Sequence, residues 1–252
     1  MCLLVCAIDA HPDYQLVLAA NRDEFYDRPA DAMHWWKDQS ILAGRDKQAG
    51  GSWLALDRRG RLCAVTNIRE VPLVQGEASR GEFPVEFVTS DVSAEQFGEG
   101  LTNSESRYGA FNLLLWDTSR AHYASNRYNQ RSVVAGIHGL SNGEFDAPWP
   151  KSLRLRAALK QELVSTTLDT EALFEALADR QRPDDADLPQ TGVGLDMERM
   201  LAPIFIASEI YGTRASTVIA IEHCGRVNVA EQNYGPNGRK LNREEFSFTL
   251  ER

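Results

Sequence analysis

The sequence lacks the long apolar runs and the basic runs that are typical of membrane and nucleic-acid-binding proteins. No segment reaches the ~18 consecutive apolar residues that a membrane-spanning helix requires. Lys and Arg form no clustered run and the net charge is -9, which excludes the positive surface of a nucleic-acid-binding protein. The opening stretch has no basic segment, and its apolar run is interrupted at Asp9. These absences predict a cytoplasmic protein with no membrane span and no nucleic-acid partner.

Cysteine is also scarce, and its positions exclude two common uses. Cys2, Cys6, Cys63 and Cys224 include no C-x-x-C pair, so neither a disulfide framework nor a zinc knuckle is predicted. Cys2, Cys6 and His11 have a spacing that matches no common set of metal ligands. We therefore expect no metal site, and we expect Cys6, Cys63 and Cys224 to be chemically inert.

What the sequence does contain is a series of short apolar stretches joined by polar turns. With 43% hydrophobic and 25% charged residues, the composition is that of a globular protein, which we expect to form one domain over residues 1–252. The apolar stretches predict antiparallel hairpins and a final edge strand, over residues 2–21, 52–67, 111–140, 216–232 and 245–250. This order indicates an α+β protein built on antiparallel sheets.

Helical patterns fall between the predicted hairpins. Residues 80–90, 152–164 and 169–180 each have one apolar face, and residues 180–194 have no periodicity and predict a long surface loop. Helices grouped between hairpins favour a layered α+β sandwich over a doubly wound parallel sheet. We expect the helices to cover the outer faces of the sheets.

A polar cluster follows the second predicted strand without a spacer. The stretch LAANRDEFYDRP passes directly from apolar residues to Asn21, Arg22, Asp23 and Glu24. A hairpin returns the end of its second strand to the beginning of its first strand. The cluster is therefore expected beside Cys2.

Cys2 is a candidate nucleophile because an aminopeptidase can remove Met1 when the second residue is small. Cys2 would then carry a thiol and an α-amine, and an amine with a pKa of ~7.7 to 8 can act as general base for the thiol. Arg22 would favour the thiolate, and Asp23 would hold the amine by a charge-assisted hydrogen bond. The alternative is that Cys2 is a small buried strand residue and that the polar cluster is a structural turn.

Amide hydrolysis also needs hydrogen-bond donors directed at the developing oxyanion. Asn67 ends the second predicted hairpin, and Asn142 follows a predicted strand in GLSNG. Side-chain amides at strand ends suit this role, but Asn is also an ordinary turn residue. From the residues alone, both interpretations of these two side chains stand.

Five ordered segments of the sequence carry a family resemblance. They are NRDEFYDRP, GGSWLALDRRGRLCAVTN, SRGEF, GLSNG followed by PW, and YGTRASTVIAI, and the match extends from Cys2 to about Gln232. In this order they resemble the NRDE family, also called the transport and Golgi organisation protein 2 family. The resemblance implies the four-layer αββα sandwich of N-terminal nucleophile (Ntn) hydrolases. It also implies a cysteine amidohydrolase that acts on a small non-peptide C–N bond.

The resemblance assigns six residues to such a site. Cys2 would be the nucleophile and base, with Arg22 as the tuning cation and Asp23 as the orienting carboxylate. Asn67 and Asn142 would be the oxyanion or amine-orienting amides, and Arg214 would be a second cation. The related hydrolases separate Arg and Asp as R-N-x-D, whereas the two are adjacent here. Adjacent strand residues face opposite sides, so both point at Cys2 only if the strand bulges or ends there.

Two functions of different classes follow from this reasoning. The first is the amidohydrolase, which needs a small-molecule substrate and no cofactor. The alternative is a non-catalytic carrier on the same scaffold, with haem as its ligand, because the family is associated with haem mobilisation. No C-x-x-C-H motif is present, so such a haem would be held non-covalently by His34 or Cys2.

Overall fold

The computed structural model describes residues 2–37, 40–72, 74, 76–101 and 107–251. In chain order the strands are β1 (Cys2–Ile8), β2 (Tyr14–Phe25), β3 (Ala30–Trp35), β4 (Ile41–Asp46), β5 (Leu54–Asp57), β6 (Leu62–Asn67), β7 (Phe111–Trp116), β8 (Ala121–Ser125), β9 (Arg131–Val133), β10 (Gly136–Leu140), β11 (Tyr211–Glu222), β12 (Arg226–Gly235) and β13 (Arg239–Thr249). The helices are α1 (Glu82–Thr89), α2 (Ala94–Gly100), α3 (Pro150–Glu162), α4 (Thr170–Leu177) and α5 (Leu195–Leu201). Short 3-10 turns occupy Asp185–Asp187 and Pro236–Gly238.

Within the described residues the strands form a six-stranded and a seven-stranded sheet. The first has the order β10-β1-β2-β11-β12-β13, and the second follows the chain from β3 to β9. Neighbouring strands are antiparallel in both sheets. The predicted hairpins are confirmed in type, and β13 is the expected edge strand.

The two sheets pack face to face, with helices on both outer sides. Leu4 and Leu18 of the six-stranded sheet pack with Leu56 and Leu114 of the seven-stranded sheet in one core. A second core lies between the seven-stranded sheet and α1 and α2, and a third lies between the six-stranded sheet and α3 and α4. Alternate residues of β1 and β2 therefore face either the opposite sheet or the helices. The result is an αββα order of layers.

Two departures from the predicted elements shape the end of the molecule where β1 begins. The polar cluster does not follow the second strand but lies inside it, because β2 pairs with β11 as far as Phe25, beyond the end of its pairing with β1. Residues 132–140, at the end of the predicted stretch 111–140, contribute to two strands in different sheets instead of one. The chain leaves β9 and enters the other sheet as β10 at Gly136, whose φ of 145° favours glycine. This crossover places β10 beside β1.

Candidate active site

A cleft opens at the end of the molecule where β1 begins. Its volume is 240 Å³, slightly below the usual range of ligand pockets, which is about 300 to 1,000 Å³. The residues that line it include five of the six predicted site residues and one further cation: Cys2, Arg22, Asp23, Asn67, Arg214 and Arg80. The cleft therefore brings together side chains that are more than 200 positions apart in the chain.

Cys2 is the first residue of β1 and lies directly opposite Arg22 in the hairpin. Its side chain shares a face with Cys6, which packs in the core between the sheets. Cys2 is 7% exposed. Its carbonyl accepts a hydrogen bond from Ser141 Oγ at 3.2 Å, so the residues after β10 fix the beginning of β1.

Arg22 and Asp23 lie on opposite faces of β2, which stays regular at this point. Arg22 shares the face of Cys2, whereas Asp23 accepts a hydrogen bond from Thr213 Oγ1 at 2.8 Å on the other face. The pairing of β2 with β11 shifts register around Arg214, so the irregularity lies in the partner strand rather than in β2. The cleft lies where β1 begins, at the level of Arg22 and Asp23 on the neighbouring strand β2, and both residues line it.

Burial raises the pKa of the Cys2 thiol. The Arg22 guanidinium lowers it, as expected, and the Asp23 carboxylate raises it, but the effect of burial is the largest. Arg22 therefore does not by itself produce a thiolate in the chain that carries Met1. A neutral thiol at this position needs a base beside it, and the α-amine of a processed Cys2 is such a base.

The two predicted amide side chains occupy different positions. Asn67, at the end of β6, lines the cleft. Asn142 is completely buried, and its Nδ2 donates to the Asn67 carbonyl oxygen at 2.8 Å. The Asn142 amide is therefore engaged in holding the Asn67 backbone. Of the two, Asn67 is the side chain placed to reach a ligand.

Arg214 lies at the register shift in β11 and lines the cleft. Its Nη1 donates to the carbonyl oxygens of Phe25 and Arg28, both at 2.8 Å. These bonds fix the guanidinium over the end of β2. Arg214 thus supplies a second positive charge to the wall of the cleft, in addition to Arg22.

Arg80 is a cleft residue that sequence reasoning did not single out, although it lies in the quoted segment SRGEF. Its Nη1 donates to the Ala110 carbonyl at 2.9 Å. Burial lowers the pKa of its guanidinium, against the raising effects of Cys2 and Glu24. The loop that carries it is held close to the seven-stranded sheet, because the Ser52 amide donates to the Gly81 carbonyl at 2.9 Å. Gly51 leaves the space for this contact, which a Cβ atom at that position would fill.

A buried charged cluster lies near Cys2 and Asp23. Arg69 Nη1 donates to Glu198 Oε2, and these two side chains are 4% and 5% exposed. Lys151, in the first turn of α3, is buried and donates to the Leu201 carbonyl at 3.2 Å. Burial and the Arg69 charge lower the pKa of Lys151 to about 8, against the raising effect of Asp23. This cluster could not be predicted from the sequence, since lysine is rarely buried.

The lowered pKa of Lys151 predicts a dependence of stability on pH. Between pH 8 and 10.5 the unfolded chain binds a proton at Lys151 that the folded chain does not, so this residue makes the free energy of unfolding rise with pH. We expect the wild type to gain on the order of 2 to 3 kcal/mol relative to Lys151→Met between pH 7 and 10. Urea unfolding at these pH values measures this difference.

Lys160→Met, at an exposed position of the same helix, is the matched control. The stability difference between wild type and this control should not change over the same pH range. A difference between wild type and Lys151→Met that also stays constant would contradict the placement of Lys151.

Within the described residues, no group of three or more His, Cys, Asp or Glu side chains is placed to hold a metal ion. His34, one of the two residues considered for haem, hydrogen bonds through Nδ1 to the Ala32 carbonyl oxygen at 2.8 Å and does not line the cleft with Cys2. In the same part of the chain, no helix is long and apolar enough to span a bilayer.

Comparison with known proteins gives a family and close relatives. The model of the family Transport and Golgi organisation 2 matches residues 1–236. The Transport and Golgi organization protein 2 homolog of Bos taurus is 33% identical over 257 residues, which is 92% of this chain and 93% of the relative. The homolog of Mus musculus is 30% identical over 276 residues and is matched over 100% of both chains.

One solved structure has a similar fold at low sequence identity. It is the mutant C2A conjugated bile acid hydrolase from Clostridium perfringens, with a TM-score of 0.55 and 10% identity over 99% of this chain and 92% of that chain. At this identity the likeness concerns the fold. Together with the order of layers, it confirms the predicted four-layer αββα sandwich, a fold that this chain shares with the bile acid hydrolase.

Proposed function

This chain belongs to the Transport and Golgi organisation 2 family, and from that membership and the cleft we propose that it is a cysteine amidohydrolase. Its substrate would be a small molecule with a non-peptide C–N bond. Cys2 is the proposed nucleophile, after removal of Met1. The observation that carries this proposal is the position of Cys2, which begins a strand in a polar cleft and lies directly opposite Arg22.

The similar bile acid hydrolase supports the same assignment. Its crystal structure is that of a mutant in which cysteine at position 2 is replaced by alanine, in a protein named as a hydrolase. The present chain also has its cysteine at position 2. A cysteine at this place in a shared fold is a candidate nucleophile because its α-amine becomes available when Met1 is removed.

The first chemical step would form a covalent acyl intermediate. The Cys2 amine accepts the thiol proton, and the thiolate attacks the amide carbonyl carbon to give a tetrahedral intermediate with a negative oxygen. Asn67 is the proposed donor to that oxygen, and Asn142 holds the Asn67 backbone in place. Collapse breaks the C–N bond, and the protonated Cys2 amine gives its proton to the departing amine.

The second step would regenerate the thiol. Water attacks the acyl thioester while the Cys2 amine accepts a proton from it, and the acid product leaves as the Cys2 sulfur recovers a proton. Asp23 is proposed to position the amine, and Arg22 to stabilise negative charge on sulfur, from opposite faces of β2. Burial strengthens both interactions because water screens them less.

The test is amine release from a panel of acyl amides by protein whose Met1 has been removed. We expect at least one small acyl amide to be hydrolysed, with loss of the reaction in Cys2→Ala. A carrier without chemistry would bind its ligand and release no amine, so an unreactive panel together with ligand binding would favour that alternative.

A further inference from the structure

The cleft carries more positive side chains than amide hydrolysis alone requires. Among the described residues, five guanidinium groups line it, those of Arg22, Arg28, Arg45, Arg80 and Arg214. Five carboxylates line it as well, those of Asp23, Glu24, Asp31, Asp46 and Glu231, so the charge that a ligand meets depends on which carboxylates are already engaged.

Three of these carboxylates are engaged away from Arg80 and Arg214. Asp46 accepts two hydrogen bonds from Arg28, at 2.6 and 2.8 Å. Asp31 pairs at 3.3 Å with Lys47. Glu231 is buried and accepts a backbone amide at 2.8 Å, and burial raises its pKa, which favours the neutral acid. Among the described residues, none of the three forms an ion pair with Arg80 or Arg214, although the charge of Arg22 acts on Glu231.

Glu24 is the carboxylate that the remaining arginines share. Its Oε2 lies 3.8 Å from Arg22 Nη2, and its charge acts on both Arg80 and Arg214. Asp23 is on the other face of β2, where Thr213 donates to it. The hydrogen bonds that hold Arg80 and Arg214 go to backbone carbonyls, which carry no net charge. Glu24 also lies 3.9 Å from Arg28 Nε. It therefore pairs with Arg22 and Arg28 and reaches Arg80 and Arg214 only at longer range, which leaves the charges of Arg80 and Arg214 partly uncompensated.

We propose that the substrate of the cleft is an amide that carries a carboxylate, and that Arg80 binds this carboxylate. The inference rests on the proposed function, since it names the class of amide that the same site takes. A guanidinium group binds a carboxylate through two parallel hydrogen bonds and remains charged at all relevant pH values. Because Arg80 and Cys2 line the same cleft, a carboxylate at Arg80 would hold the amide carbon within reach of the thiol.

The test measures binding without turnover, in the full chain with Cys2→Ala. Calorimetric titration compares N-hexanoylglycine with its neutral counterpart N-hexanoylglycinamide. We expect the acid to bind at least about tenfold more tightly. Adding Arg80→Met should remove this preference, whereas Arg58→Met should preserve it, because Arg58 stacks on Trp35 outside the cleft.

Two further variants distinguish charge recognition from damage to the fold. Glu24→Gln removes the carboxylate that competes for the guanidinium groups of the cleft, so it should increase affinity for N-hexanoylglycine by about three- to tenfold. A misfolded variant does not gain affinity. Arg80→Lys keeps the charge but not the planar fork, so it should retain part of the preference for the acid.

Equal binding of the two probes would overturn the inference, and so would a preference that survives Arg80→Met or a failure of both probes to bind. The proposed function is tested separately by turnover. If the wild type hydrolyses neutral amides and the probes bind equally, the anion site is wrong and the hydrolase stands. If the acid is preferred but no amide is cleaved, the anion site stands and the hydrolase is wrong.

Discussion

Replacing Cys2 by alanine should lower the turnover number for any acyl amide that the protein hydrolyses by at least about 10³-fold. The reason is that the variant keeps the cleft and its charges but has no sulfur to form the acyl intermediate. The structure predicts little change in folding, because Cys2 is the first residue of β1 and alanine fits the same space. Steady-state amine release and circular dichroism measure the two effects.

Cys6→Ala is the matched control for this prediction. Cys6 lies on the same strand and the same face as Cys2, and it is completely buried. Its replacement costs a similar small volume in the core between the sheets but leaves the cleft unchanged. We expect its turnover number to stay within about threefold of wild type. A Cys2→Ala variant as active as Cys6→Ala would contradict the proposed function.

The second large effect concerns stability. Replacing Glu198 by glutamine should destabilise the fold by about 3 to 5 kcal/mol, because it leaves the Arg69 guanidinium buried without its counter-charge. Lys151 is buried near Arg69, and its pKa is lowered by that charge, so two buried cations would then share the space. For a protein of this size the melting temperature should fall by about 10 °C.

The control for this prediction is an exposed ion pair. Glu171 pairs with Arg243 and its side chain is 65% exposed, so Glu171→Gln should change stability by less than about 0.5 kcal/mol. A double variant, Arg69→Met with Glu198→Leu, should recover much of the loss because it leaves no unpaired charge. Thermal unfolding of the variants tests both statements. A loss in Glu198→Gln no larger than in the control would show that the buried pair is not needed.

The layers of the fold could be predicted because they follow from local patterns. Short apolar runs predicted β1 and the first part of β2, alternating apolar residues predicted the edge strand β13, and apolar helical faces predicted α1, α3 and α4. The strands β3 and β4 were not predicted, since residues 30–46 mix polar and apolar side chains without a regular period. Their strand conformation depends on pairing with β5 and on the layer between the sheets.

The candidate site was predictable where the sequence places residues at strand ends. The hairpin predicted that Cys2 and Arg22 would be neighbours, and the register pairs them directly. The direction of the Asn142 amide was not predictable, because it depends on the passage of β10 into the other sheet at Gly136. That passage is a long-range property, and a local pattern does not encode it.

Arg80 and Lys151 were missed for a related reason. Each is an ordinary polar residue in its own segment, and its function depends on the residues that the fold places beside it. Arg80 lines the cleft because its loop lies close to the seven-stranded sheet. Lys151 is buried because α3 packs on the six-stranded sheet. Both cations belong to segments that are far from Cys2 in the chain.

The measurement that tests the central claim most directly is mass spectrometry of the N-terminal peptide after alkylation with iodoacetamide between pH 5 and 9. It compares protein purified normally with protein in which inhibition of methionine aminopeptidase has kept Met1. Cys224 was expected to be inert, but it is exposed and therefore serves as the reactive standard in the same sample, with buried Cys63 as the unreactive standard.

We predict that the normally purified protein lacks Met1 and that its Cys2 is alkylated at least about tenfold faster at pH 7 than Cys2 in the form that retains Met1. The amine beside the thiol would account for this difference, because burial otherwise keeps the thiol protonated. Retention of Met1 in the normally purified protein, or equal rates in the two forms, would contradict the assignment of Cys2 as an N-terminal nucleophile.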